Sequence, residues 1–145
     1  MIIVVGVDDS DQSLIAARKA LRLAGMLDAE LHAVFVTHVP AAMLAVLAGV
    51  PAAASEFTEA QRATVWSRVG PLLDAAPVPV RRIDLEGYPA DALVEYAQES
   101  GAGLIVVGSR GRGDLASLVL GSTSHRVVNQ ASCDVLIAKD SGEQP

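Results

Sequence analysis

A single cysteine, Cys133, in a chain of 145 residues excludes an internal disulfide, and the histidines His32, His38 and His125 are too scattered to build a zinc site with it. Stability must come from burial instead, and a chain of this length can hide about 68–70% of its unfolded surface without such help. Aromatic residues make up only 3%, so that core is aliphatic. Basic residues are also in deficit. The 11 Lys and Arg face 17 Asp and Glu, and the resulting charge of −6 argues against general nucleic-acid binding, because phosphate backbones repel an acidic surface. Neither half carries a block of one sign that would mark a charged partner. No lysine completes a G-x-x-x-x-G-K-[S/T] loop, which excludes a P-loop NTPase. The run Met1 to Val7 has no basic start and meets Asp8 and Asp9, so it reads as a buried strand rather than a secretion signal, and a cytoplasmic setting is expected.

One stretch lacks charge altogether. Leu31 to Ser55 holds no Asp, Glu, Lys or Arg over 25 residues, long enough for a membrane helix. Pro40 and Pro51 interrupt it, Leu31 to Val36 is strand-like, and much of the rest is weakly apolar alanine, so no membrane span is expected.

What is present is a globular composition, 51% hydrophobic and 19% charged. Apolar runs of strand length alternate with stretches of helical period, the pattern of stacked βαβ units. The runs predict strands at Ile2–Asp8, Glu30–Thr37, Val78–Leu85, Leu104–Val107 and Val135–Ala138. A helix is expected over Asp11–Leu27, capped by Ser10 and buried along Leu14, Ala17, Leu21 and Ala24. An Ala-rich loop should follow the second strand as far as Ser55, then a helix from about Thr58 that Gly70-Pro71 kinks or ends. Another helix should start near Pro89, and Gly121 followed by Ser122, Thr123 and Ser124 suggests a helix beginning there, with Ser122 as its cap. Open sheets of this type bind ligands beyond the carboxyl ends of their strands, where two loops carry chemistry: Asp8-Asp9-Ser10 and Gly108 to Gly113.

The second loop is glycine-rich, follows a buried strand and precedes a helix, an arrangement whose amides can converge on a phosphate. Gly108 and Gly111 allow close main-chain approach or positive φ, Arg110 and Arg112 add local positive charge, and Gly121-Ser122 offers further N–H and O–H donors. Gly108-x-x-Gly111, nine residues, then Gly121-Ser122 resembles the nucleotide-binding motif G-x-x-G-x(9)-G-[S/T] of the universal stress protein family. Val7 to Ser10 resembles the family's first loop, and the likeness extends through the closing strand, implying one domain over residues 1–140 with a short tail at 141–145.

The resemblance implies an α/β fold with a single open five-stranded parallel sheet in the order 3-2-1-4-5 and helices on both faces. It implies Asp8 beside the adenosine, Val36 against adenine, and Gly108, Gly111, Gly121 and Ser122 around ribose and phosphates. Ser10, Ser109, Arg110, Arg112 and Thr123 flank these positions and complete the expected set. The implied ligand is ATP, with Mg2+ arriving on the phosphates, since no carboxylate cage is visible. The implied assembly is a homodimer through Val135 to Ala138.

Rival motifs are weaker. Gly111 to Ala116 imitates a dinucleotide fingerprint, but Asp134 begins the next strand rather than ending it. Cys133 lacks a neighbouring histidine and reads as a small buried residue, Trp66 as core or interface, and the Asp8-Asp9 pair as loop-ordering rather than metal-binding. With no evident nucleophile or general base, the leading expectation is a nucleotide-occupancy-dependent regulator of a stress response without catalytic residues. The alternative is a slow ATP hydrolase in which Asp8 or His125 positions water and Arg110 or Arg112 neutralises charge. A partner-binding module without nucleotide would leave the glycines unexplained.

Overall fold

The computed structural model describes residues 1–110 and 120–140. Strands β1 (Ile2–Val7), β2 (Glu30–Thr37), β3 (Val80–Glu86), β4 (Leu104–Gly108) and β5 (Asp134–Ala138) form one parallel sheet in the order β3-β2-β1-β4-β5. Helices α1 (Asp11–Leu27), α2 (Ala41–Leu47), α3 (Pro51–Asp74), α4 (Pro89–Ser100) and α5 (Ser122–Gln130) connect them.

Because side chains alternate across a strand, each buried strand feeds two cores. Ile3, Val5, Leu31, Ala33 and Phe35 pack on one face against Ala16, Ala17, Ala20 and Ala24 of α1 and Val65, Val69 and Leu73 of α3. Val4, Val34, Ile105 and Val107 pack on the other against Leu93 and Ala97 of α4 and Val127 of α5. The small alanines let α1 lie close to the sheet. Its buried stripe runs through Ser13, Ala16, Ala17, Ala20 and Ala24, with the expected Leu14 and Leu21 only half-buried at its margin.

Three expectations are corrected. The Ala-rich segment is largely helical, because alanine is the best helix former and the two prolines occupy helix starts rather than interiors: Pro40 is the N-cap of α2 and Pro51 opens α3. Gly70-Pro71 does not end α3, which continues to Asp74. Arg82 of β3 holds that last turn: its guanidinium donates to the Gly70 carbonyl at 3.2 Å, pairs with the Asp74 carboxylate and lies over the Trp66 ring, 5.8 Å from its centroid. Finally, Gly121 rather than Ser122 is the N-cap of α5, in extended backbone conformation and with no side-chain cap bond.

The order of strands positions the site. After β1 the chain turns into α1 on one face, and after β4 it reaches α5 on the other. The adjacent strand ends therefore part, and a crevice opens between them.

Candidate functional site

The first wall of the crevice is the turn between β1 and α1. Ser10 caps α1: its hydroxyl oxygen accepts from the Ser13 N–H at 3.1 Å and its hydrogen goes to Oδ1 of Asp8. The Ser10 N–H also donates to Oδ1 at 2.9 Å, and the Asp8 N–H donates to the Ser13 hydroxyl at 2.8 Å. This closed set of bonds fixes the Asp8 carboxylate. Its second oxygen, Oδ2, has no hydrogen-bond partner among the described residues. Arg68 of α3 ties the same turn from outside, through the Asp9 carbonyl and the Asp11 carboxylate.

The second wall joins the end of β4 to the start of α5. The Gly121 N–H donates to the Ser109 carbonyl at 2.9 Å, and the Ser124 hydroxyl donates to the Gly108 carbonyl. The widely separated ends of the glycine motif are thereby stitched together. Ser109 is spent on this stitching, since its N–H bonds the Ala138 carbonyl at 3.0 Å and its hydroxyl bonds Gln12 Oε1 at 3.2 Å. The Gly121 amide is likewise committed, contrary to the expectation that it donates to an anion. The amides of Ser122, Thr123 and Ser124, the first turn of α5, have no intrahelical acceptor, so the partial positive end of the helix faces the crevice.

Two adjoining cavities occupy the space between these walls. The first, about 130 Å³, has an apolar slot of Val34, Val36, Leu93 and Val107, rimmed by Asp8, Ser10, Gly108, Arg110 and Thr123. The second, about 650 Å³, shares Asp8, Val36, Pro89 and Thr123 with it and extends to Ser122, Phe57 and Gln61. Seven expected site residues are thus brought together: Asp8, Ser10, Val36, Gly108, Arg110, Ser122 and Thr123. Ser109 and Gly121 stand behind the walls as structural links, and Gly111 and Arg112 lie outside the described residues.

Sequence reasoning missed Gly6, Ser13, Val34, Pro89, Leu93, Val107 and Ser124 in the first cavity. Leu93 and Val107 look like ordinary core residues, and only the three-dimensional arrangement shows that they also end at an opening. Ser13 carried a usable signal, as a buried hydroxyl three residues after a cap. His38 lines the second cavity and stacks on Tyr88 with centroids 5.1 Å apart, whereas His125 is exposed on α5 and lines neither. Burial pushes the Cys133 thiol above its ordinary range, which keeps it protonated and poorly nucleophilic.

Among the described residues no helix is long and apolar enough to cross a membrane. The sequence is 34% identical over 142 residues to universal stress protein MJ0531 of Methanocaldococcus jannaschii, spanning 94% of this chain and 81% of that protein. It is 33% identical to universal stress protein YxiE of Bacillus subtilis over 93% of this chain and 96% of that one. A solved universal stress protein in complex with cAMP superposes with a TM-score of 0.72 at 28% identity, covering 97% of this chain and 98% of its own. Residues 1–139 match the universal stress protein family, and with these relatives 33–34% identical over 142 residues the chain belongs to that family.

Proposed function

We propose that this protein binds an adenine nucleotide, ATP with Mg2+ carried on its phosphates, and signals a cytoplasmic stress or metabolic state through occupancy of the site. The observation that carries this reading is the meeting of three chemically distinct surfaces in one crevice. The apolar slot of Val34, Val36, Leu93 and Val107 suits a purine face. The Oδ2 of Asp8, beside that slot and without a hydrogen-bond partner among the described residues, suits the hydroxyls of a ribose. The free amides of α5 and the Arg110 guanidinium suit phosphate oxygens, and in this reading Gly111 and Arg112 belong to the same phosphate loop. The relative crystallised with cAMP supports the nucleotide class.

Occupancy rather than turnover fits the carboxylate. Asp8 Oδ1 is held by two donors, which suits a fixed acceptor, and the exposed His125 lines neither cavity. Calorimetric titration with ATP and Mg2+ tests the reading through two variants. Asp8→Ala removes the charged acceptor and should weaken binding about tenfold or more, the scale of one charge-assisted hydrogen bond. Thr123→Asp places an anion in the first turn of α5, where it favours the helix by about 0.3–1 kcal/mol but repels phosphate. It should keep or raise the melting temperature while abolishing ATP binding. Unchanged affinity in both variants would overturn the proposal. Phosphate release that vanishes in Asp8→Asn while ATP affinity persists would establish the hydrolase alternative instead.

A further inference from the structure

The first cavity, about 130 Å³, is smaller than the roughly 300–1,000 Å³ usual for small-molecule sites. The second, about 650 Å³, falls within that range and opens from the first across Asp8, Val36, Pro89 and Thr123. Its far wall owes nothing to the glycine motif. Phe35 comes from β2, and Phe57, Ala60, Gln61 and Thr64 come from α3.

The two cavities differ in charge. Asp8 lines both, Arg110 lines the first, and among the described residues no Lys or Arg lines the second. Among the described residues the cation suited to phosphate groups is therefore on the side of the first cavity, at Arg110. A flat, uncharged ring is favoured by Phe35, Phe57 and Val65. Gln61 adds a specific requirement: its Oε1 is enclosed without a hydrogen-bond partner among the described residues. Turning the terminal amide towards the cavity would let a ligand N–H satisfy that acceptor, a strong preference because buried polar groups are rarely left unpaired. Thr123, on the first turn of α5, lines both cavities, so a phosphate seated there has the purine slot on one side and this recess on the other.

We infer that the site is bipartite and prefers a dinucleotide-type ligand: an adenosine joined through phosphate to a second, uncharged ring with N–H donors, seated against Phe57 and Gln61. The inference rests on the adenine-nucleotide reading above and assigns the part of the cleft which that reading leaves empty. Its partner chemistry is a nucleobase or a similar heterocycle.

The test compares two probes by calorimetry on the intact chain: ADP, and diadenosine diphosphate, in which a pyrophosphate joins two adenosines 5′ to 5′. The second probe should bind at least about tenfold more tightly, the scale of one base stacked on an aromatic side chain. Gln61→Leu removes the acceptor, and Ala60→Trp fills the recess from an exposed position on α3. Both should bring the dinucleotide down towards ADP while leaving ADP affinity unchanged, with thermal melts confirming that the variants fold. Equal binding of the two probes by the unmodified protein, or an advantage that survives both substitutions, would overturn the inference while the nucleotide reading stands. Binding of neither probe would overturn both.

Discussion

At Gly108 an added methyl group would come within 3.0 Å of the Gln12 Cβ and 3.1 Å of the Gln12 carbonyl oxygen. Glycine is required there because the first turn of α1 docks directly on the end of β4. Of the two uses expected of a glycine here, close approach or positive φ, the second is not taken up at Gly108, since the described glycines with positive φ are Gly87 and Gly101. Gly6 offers a useful contrast: its nearest obstacle is the Leu93 Cδ2 at 3.0 Å, a side-chain terminus that can turn aside. Gly108→Ala should therefore destabilise the fold by about 1–3 kcal/mol, the usual cost of overpacking, because the backbone of Gln12 cannot yield without moving the helix. Urea denaturation checks the stability. Nucleotide affinity should fall with it, because the displaced turn also carries Ser10 and Ser13, the residues that hold Asp8. Wild-type stability in Gly108→Ala would show that α1 does not depend on this contact.

Among the elements, β3 stands at a sheet edge, where it pairs with β2 from Val80 to Glu86 and adds charged links, Arg81 reaching Glu30 of β2 and Arg82 reaching α3. The hydrogen bond from Arg81, followed by that from His32, holds the Glu30 carboxyl below its ordinary value of 4.5. A lowered folded-state value means that the charged form favours folding. The contribution is therefore complete above about pH 4.5 and disappears as pH falls through the lower folded-state value. In Arg81→Ala the Glu30 titration, followed by NMR, should move up towards 4.5, and stability should fall less steeply with acid over that window. An unmoved titration would assign the depression to His32, which is buried and hydrogen-bonded to Glu30 at 3.2 Å and to Tyr96 at 2.8 Å. Elements such as α1 and β2 were legible because local rules agree there: Ser10 caps, apolar periodicity follows, and turn residues close the segment. The continuation of α3 past Pro71 was not legible, since it depends on Arg82 arriving from another element. The same limit applied to the site. Asp8 and the glycine motif announce themselves by residue type, but the α3 wall of the second cavity exists only once Phe57 and Gln61 are placed beside the end of β2.

For the whole molecule, the remaining question is what covers β5, which pairs with β4 on one side and with no described strand on the other. An uncovered edge is a template for association. The Ala138 carbonyl accepts from Ser109 beyond β4, so by the alternation of a strand the main-chain groups of Ala138 and Leu136 face β4 while those of Val135 and Ile137 face outward. The second copy of this chain that the sequence reading anticipated at Val135 to Ala138 would therefore engage the outward N–H and C=O of Val135 and Ile137. Proline is tolerated in an edge strand where its missing N–H faces away from the sheet, which makes position 137 a discriminating place to put one. Sedimentation at micromolar concentration should show a dimer for the natural chain and a monomer for Ile137→Pro, with the circular dichroism of the folded protein retained. The site lies at the carboxyl ends of the strands, formed by β1, β2, β4, α4 and the start of α5, so ATP affinity should survive the loss of the partner. A natural chain that sediments as a monomer with and without ATP would refute the dimer. A dimer that persists in Ile137→Pro would place the interface on another surface, and a loss of ATP binding with dissociation would show that the crevice is completed across the two-fold axis rather than within one chain.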